Sequence, residues 1–180
     1  RLVERVHELL SEELSVGDLT VDATAGNGWD TAFLASKVGS SGTVHAFDLQ
    51  EEALESTRKL LLERGLSEQV ELHHCGHEQM AERLSAEFHG KVAAITFNLG
   101  YLPGGNKAMT TKTDTTLAAL RVGLTLLRPL GLLAVVAYRG HLGGVEECQT
   151  VRRELKTVDS ELTIEGNPSP DATSPLLLVA

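Results

Sequence analysis

The sequence predicts an α/β fold: a doubly wound, mostly parallel sheet of seven strands with helices on both faces and a C-terminal antiparallel hairpin. Three observations carry that expectation. Strand-like and helix-like stretches alternate from end to end, as they do when crossover helices join parallel strands. Two interior runs, residues 92–97 and 130–138, are almost continuously apolar, which suits strands covered on both faces. The last two strand-like stretches have no helix between them, so they pair in opposite directions.

Residues 3–14 carry apolar side chains at helical spacing and end in the turn Val16-Gly17-Asp18. Residues 19–23 form a short strand that runs into Ala25-Gly26-Asn27-Gly28. A helix over 30–38 follows, with Ala32, Phe33, Leu34 and Val38 for its inner face, and residues 39–42 break it. Strand 43–47 leads to helix 51–64, closed by Gly65, a residue type that takes up the left-handed turn at a helix end. A third strand begins over 70–72, a shorter helix covers 77–84, and the buried strand 92–97 precedes one long irregular stretch, 98–112. Helix 115–127 is stopped by Pro129, and strand 130–138 follows. Residues 143–158 are helical in composition, with Glu146, Glu147, Arg152, Arg153 and Glu154 on the wet side. Strands 162–165 and 176–179 close the chain around the Pro/Asn/Asp-rich turn 167–174.

At 180 residues, 42% hydrophobic and 23% charged, the composition is that of one globular domain over residues 1–180, and excludes disordered, collagenous and coiled-coil classes. No apolar run approaches the ~18 residues of a membrane-crossing helix. Cys75 and Cys148 are too few for a disulfide framework and no signal-peptide pattern opens the chain, so a reducing, cytoplasmic setting is expected. The chain begins at Arg1, not at Met, and further residues are expected ahead of it. With 16 basic against 25 acidic residues the net charge is −9. A protein that coats nucleic acid carries the opposite balance, so any such contact is confined to a small basic patch. Lys107, Lys112, Arg121 and Arg139 are its candidates.

A doubly wound sheet, Rossmann-like in its connections, binds ligands beyond the carboxyl ends of its strands, and the informative residues follow strands. The first group is Asp22-Ala23-Thr24-Ala25-Gly26-Asn27-Gly28. Its glycines let backbone approach a ligand closely, although a plain tight turn also favours glycine. The second is Asp48, 20 residues after Gly28, an acid that suits either the hydroxyls of a ribose or the N-terminus of the helix at Glu51. From Gly26 the dinucleotide spacing G-x-G-x-x-G/A places Thr31 where the last Gly or Ala belongs, and Asp22 near a pyrophosphate would be repulsive. Asp22 can instead orient the loop amides or face a cationic ligand, which favours the sulfonium of S-adenosylmethionine.

Asn98-Leu99-Gly100-Tyr101-Leu102-Pro103-Gly104-Gly105 is the third group, directly behind a buried strand. The Asn98 carbonyl and the backbone carbonyls of Leu99 or Gly100 can accept the N–H groups of an amine, while Tyr101 offers a flat face to the ring that carries it. A Gly/Pro surface loop is the simpler reading, but the position at a central strand's end favours a site. His73-His74-Cys75-Gly76-His77 has the composition of a metal cluster. Successive strand residues point to opposite faces, however, and no second group completes four ligands, so no metal is expected. His77 is placed to touch an adenine. Arg139-Gly140-His141 offers a cation and a base that titrates near neutrality, although such residues also suit a solvated loop.

In these blocks, in Phe47-Asp48-Leu49-Gln50, in Gly76-His77-Glu78, in Lys107 and in Tyr138-Arg139-Gly140-His141 with Gly143-Gly144, the chain resembles the rRNA methylase family of class I S-adenosylmethionine-dependent methyltransferases, whose characterised members act on tRNA. The resemblance covers essentially the whole chain, and the 98–105 block with the 138–144 block is its specific part. It implies methylation of the 5-aminomethyl group of the tRNA wobble uridine, often 2-thiolated, with the anticodon loop as partner. It further implies cofactor contacts at Asp22, Ala23, Thr24, Gly26, Asn27, Gly28, Asp48, Leu49, Gln50, Gly76, His77 and Asn98. Leu99, Gly100, Tyr101, Lys107, Arg139 and His141 are the implied substrate contacts, and Asn98, Tyr101 and His141 the catalytic ones, His141 as proton acceptor. Trp29 stands where the family often has His, and Asn106 where Asp is common. Methylation of rRNA or of a small amine, and a silent cofactor- or RNA-binding module, are the alternatives; neither a metal nor a membrane enters the reading, and a homodimer stays open.

Overall fold

The computed structural model describes residues 2–105, 109–159, 162–169 and 172–180. Its strands are β1 (Leu19–Asp22), β2 (Thr43–Asp48), β3 (Val70–His74), β4 (Val92–Leu99), β5 (Leu127–Ala137), β6 (Thr163–Gly166) and β7 (Leu176–Val179). They make one sheet in the order β3-β2-β1-β4-β5-β7-β6, in which β1 to β5 are parallel and β7 runs antiparallel to both of its neighbours. The chain winds outward from β1 to β3, then returns to lay β4 on the other side of β1. That reversal opens a crevice above the carboxyl ends of β1 and β4.

Helices α1 (Leu2–Glu13), α2 (Trp29–Val38) and α3 (Glu51–Arg64) cover one face, and α4 (Met80–Arg83), α5 (Thr113–Leu126) and α6 (Gly144–Val158) the other. Strand alternation sorts the core between them. Ala94, Ala134, Val136 and Leu177 pack with Val6, Leu10, Leu34 and Val38. Ile95, Phe97, Leu133, Val135 and Leu178 belong to the cluster of Met80, Leu120, Val151 and Leu155. Asn98 shares the parity of Ala94 and therefore faces the α2 layer. Among the described residues no helix is long and apolar enough to cross a membrane.

Expectation and structure differ in three places. Residues 77–84 form a 3-10 turn, His77–Gln79, followed by the single turn α4, because only His77, Met80 and Leu84 anchor this segment in the core. The stretch 98–112 is less irregular than its composition implies, since β4 runs on to Leu99 and Tyr101 bridges Thr110 in antiparallel fashion. Pro129 does not separate helix from strand: α5 ends at Leu126 and β5 starts at once. The proline, which has no N–H for the ladder, lies where β5 advances from Leu127 to Leu132 while β4 advances only from Val92 to Ala94, with Leu130 at φ +63°.

Phe97 is 1% exposed between the sheet and the α4–α5 layer. Phe97→Ala should cost about 3–5 kcal/mol of stability in urea unfolding; a loss below about 1 kcal/mol would mean that the neighbouring side chains refill the space.

Candidate active site

The crevice is a pocket of about 440 Å³ at the carboxyl end of the sheet. Its wall comes from Ala23, Thr24 and Gly26 after β1, Phe47 to Gln50 at the end of β2, Gly76, His77 and Glu78 after β3, and Asn98 and Gly100 to Pro103 after β4. Met109 to Lys112 and Thr115, leading into α5, complete it. A mostly apolar concavity of this size with a few convergent polar groups suits one nucleoside-sized ligand.

Two carboxylates shape the β1 loop. Asp48 Oδ2 accepts the Gly26 N–H at 2.9 Å and its Oδ1 the Gln50 N–H at 2.9 Å, so the glycine loop is tied to the end of β2. Each oxygen keeps acceptor capacity for a ligand hydroxyl. Gln50 is the residue at the helix boundary, and Asp48 stands ahead of it. Gly28 opens α2 with φ +82°, and a Cβ there would lie 2.8 Å from the Thr57 Cα, so α2 and α3 approach as closely as they do because this residue is glycine. Asn27 donates to the Pro103 carbonyl at 3.4 Å, outside the pocket wall.

Asp22 takes the first of its two sequence-derived roles. It is fully buried, accepts from Thr31 Oγ1 at 2.6 Å and from the Thr24 N–H at 3.2 Å, and does not line the pocket. Burial first, and the negative charge of Asp30 second, push its carboxyl from 3.8 up to about 7.

Asn98 is held in the pocket at both its backbone and its side chain. Its N–H donates to Thr24 Oγ1 at 2.7 Å, and its Nδ2 donates to Asp30 Oδ2 at 2.6 Å. A carboxylate only accepts, so the side-chain amide must turn its NH2 to Asp30, and its carbonyl oxygen is directed away from that partner. Asp30 Oδ1 lies 2.6 Å from His7 Nε2, whose ring stacks on Phe33 at 3.8 Å. Neither Asp30 nor His7 stood out in the sequence, because an acid in a first helical turn is ordinary. The one available signal was a carboxylate two residues behind the glycine loop.

The remaining candidates divide. His77 is buried beside Phe97, and burial lowers its pKa, leaving a neutral ring that hydrogen-bonds the Ala23 backbone. Tyr101 lines the pocket 37% exposed, while Leu99 faces the core with its carbonyl taken by the Tyr138 N–H at 2.9 Å. The Gly100 carbonyl likewise accepts from Thr111 at 2.8 Å. Arg139 is not at the mouth: it is buried and donates to the carbonyls of Ser174 (2.7 Å), Ser169 (3.0 Å) and Asn167 (2.7 Å). His141 lies edge-on to Tyr101 at 6.2 Å, outside the pocket wall. Its Nδ1 faces the Leu142 carbonyl and its Nε2 is enclosed without a hydrogen-bond partner among the described residues. Arg121 pairs with Glu154 at 2.6 Å, and Lys112 lines the rim. Lys107 and Asn106 lie outside the described residues.

The strand order, and a pocket at the reversal between β1 and β4, define a doubly wound protein of the methyltransferase fold. The chain belongs to the family described as "Putative rRNA methylase", whose model matches residues 44–165. It is 37% identical to a "putative rRNA-methylase" from Clostridium thermocellum of known crystal structure, with a TM-score of 0.90 over 98% of this chain and 95% of that one. A "putative methyltransferase" from Streptococcus mutans, crystallised in complex with SAH, is 32% identical with a TM-score of 0.86 over 99% and 96% of the two chains. A protein of Arabidopsis thaliana named tRNA (mnm(5)s(2)U34)-methyltransferase, chloroplastic, is 40% identical over 84% of this chain, which spans 57% of that relative's length.

Between about pH 4 and 7 the folded chain holds a proton on Asp22 that the unfolded chain has released, so this group lowers stability as pH rises through that window. Buried His45, His73 and His77, whose pKa values are lowered, act with the opposite sign near neutrality. The difference between variants therefore isolates Asp22: the melting temperature of Asp22→Asn relative to the parent should climb from pH 5 to pH 8. A pH-independent difference would place the buried proton elsewhere.

Proposed function

We propose that the chain is an S-adenosylmethionine-dependent methyltransferase that N-methylates the 5-aminomethyl group of the wobble uridine in tRNA. The observation that carries this reading is Asn98, held by Asp30 with its amide carbonyl left for a donor, at the strand end beside Tyr101. The name of the Arabidopsis relative and the SAH complex of the Streptococcus protein support the substrate and the cofactor. The donor set fits S-adenosylmethionine: two Asp48 oxygens for ribose hydroxyls, the backbone of Ala23 to Gly26 for close approach, and the exposed Leu49 for an adenine face. When bound, that cofactor supplies a methyl group activated by its sulfonium.

The chain's own residues then present the nucleophile. An aliphatic aminomethyl group has a pKa near that of Lys, ~10 or somewhat lower, and is largely protonated at neutral pH. Asn98 Oδ1 accepts one N–H and aims the nitrogen lone pair, while Tyr101 backs the uracil. The Leu99 and Gly100 carbonyls each accept one backbone N–H and retain a second lone pair, so they share this orientation with Asn98. Positioning of this kind lowers a barrier by several kcal/mol. His141 lies outside the pocket wall with its Nε2 shielded, so solvent at the mouth is the proton acceptor in this reading. Cys75 and Cys148, both buried free thiols, suit a reducing compartment.

Mass spectrometry of tRNA nucleosides from cells lacking the protein tests the reading: unmethylated 5-aminomethyl wobble uridine should accumulate, and an unchanged nucleoside profile would overturn it. In vitro, Asp48→Ala should weaken SAH binding in calorimetry by 1.5–3 kcal/mol, on the order of tenfold to a hundredfold. Asn98→Ala should keep that affinity and lose most turnover, and Asp30→Asn, which lets the Asn98 amide turn over, should lower kcat in the same way. Near-normal turnover in Asn98→Ala would remove this loop from the reacting centre.

A further inference from the structure

The outer edge of the sheet carries a second cluster, on the face opposite α2 and α3. β2 and β3 run parallel with His45 opposite Glu71 and Phe47 opposite His73, so His45, Glu71 and His73 share one face. His45 Nδ1 lies 3.0 Å from His73 Nε2. Glu71 Oε2 is 3.6 Å from that His45 nitrogen, and Glu71 Oε1 is 3.8 Å from that His73 nitrogen. We propose that His45, Glu71 and His73 bind a transition-metal dication of the Zn2+ type that clips the edge strand β3 to β2.

The spacing is that of ligands sharing one ion. Nitrogen and oxygen donors held at about 2.0–2.2 Å from tetrahedral or octahedral Zn2+ stand roughly 2.9–3.5 Å apart. The imidazole pair already lies in that range. The Glu71 side chain is 63% exposed and closes the remaining few tenths of an ångström by rotating. Both rings are fixed in place, His73 stacked on Phe47 at 4.4 Å and His45 between His73 and Phe88, each at 5.3 Å. Burial lowers both imidazole pKa values, so their lone pairs are available at neutral pH. Without an ion, only one of the two facing nitrogens can carry the hydrogen that joins them; an ion takes both lone pairs.

Two features bound the affinity. His45 Nε2 is buried without a hydrogen-bond partner among the described residues, whereas tightly held metal sites give the outer N–H an acceptor. The positive charge of Arg83 also acts on His73. Both weaken binding, with Glu71 supplying the compensating negative charge and solvent the remaining coordination. His74, one residue on, points away and pairs with Glu51 at 2.8 Å, so alternation does separate His73 from His74. The second imidazole comes across the ladder, not along the strand. Since β3 runs directly into Gly76 and His77 of the pocket wall, an ion at this edge stiffens that wall.

The test uses the untagged chain stripped with a chelator and titrated with Zn2+ by calorimetry and with Co2+ by visible ligand-field absorption. One equivalent should bind and raise the melting temperature. Glu71→Gln should weaken binding at least tenfold with the metal-free melting temperature unchanged, His73→Ala should abolish it, and His74→Ala should leave it intact. If His73→Ala does not fold, Glu71→Gln against His74→Ala decides. Absence of saturable binding, or affinity retained in Glu71→Gln and lost in His74→Ala, would overturn the proposal.

Discussion

Three parts of the chain meet at the carboxylate of Asp30. From the first turn of α2 it reaches His7 on α1 and Asn98 at the end of β4, each at 2.6 Å, in a nearly water-free position. Hydrogen bonds to a charged acceptor contribute about 1.5–3 kcal/mol each, and removal of the acceptor leaves buried donors unsatisfied. The same negative charge bears on Asp22, which burial has already disfavoured as an anion. Two carboxyls so near each other divide their labour. One orders the groups that face the ligand, while the other holds the loop through Thr31 and Thr24.

The sheet dictates where this arrangement stands. β4 extends past the end of β1, since Asp22 is opposite Thr96 and the strand continues to Leu99. Asn98 thus projects over the β1 loop, where Thr24 meets its backbone. On the other side of β1, Asp48 binds the loop from the end of β2. The loop is therefore held between its two neighbouring strands by one hydroxyl and one carboxylate.

The elements were legible wherever one periodicity dominated: α3 and β7 follow their sequence-derived limits, and the mostly parallel sheet with its antiparallel C-terminal pair follows from the alternation of strand and helix. Glycines and strand-end acids marked the loops that line the pocket. Tertiary partners were not legible. Arg139 and His141 stand in a polar, glycine-rich segment that reads as solvent-facing, yet one is enclosed by backbone carbonyls and the other lies against Tyr101 and beneath Gly144. His7 and Asp30, 23 residues apart, become neighbours only when α1 packs on α2, and His45 meets His73 only through the register of β2 on β3. Sequence spacing carries no record of such approaches.

Arg139 fastens the connection between β6 and β7 through the carbonyl oxygens of Asn167, Ser169 and Ser174. Every residue type has a carbonyl, so this clamp is blind to the identity of the side chains it holds. Substitutions can accumulate at Ser169 and Ser174 over evolutionary time without loosening the hairpin, provided the arginine itself persists, whereas Asn167 also accepts the Ser169 N–H through its Oδ1 at 3.1 Å. Those two positions are thus free to acquire new surface chemistry while the sheet beneath them stays the same.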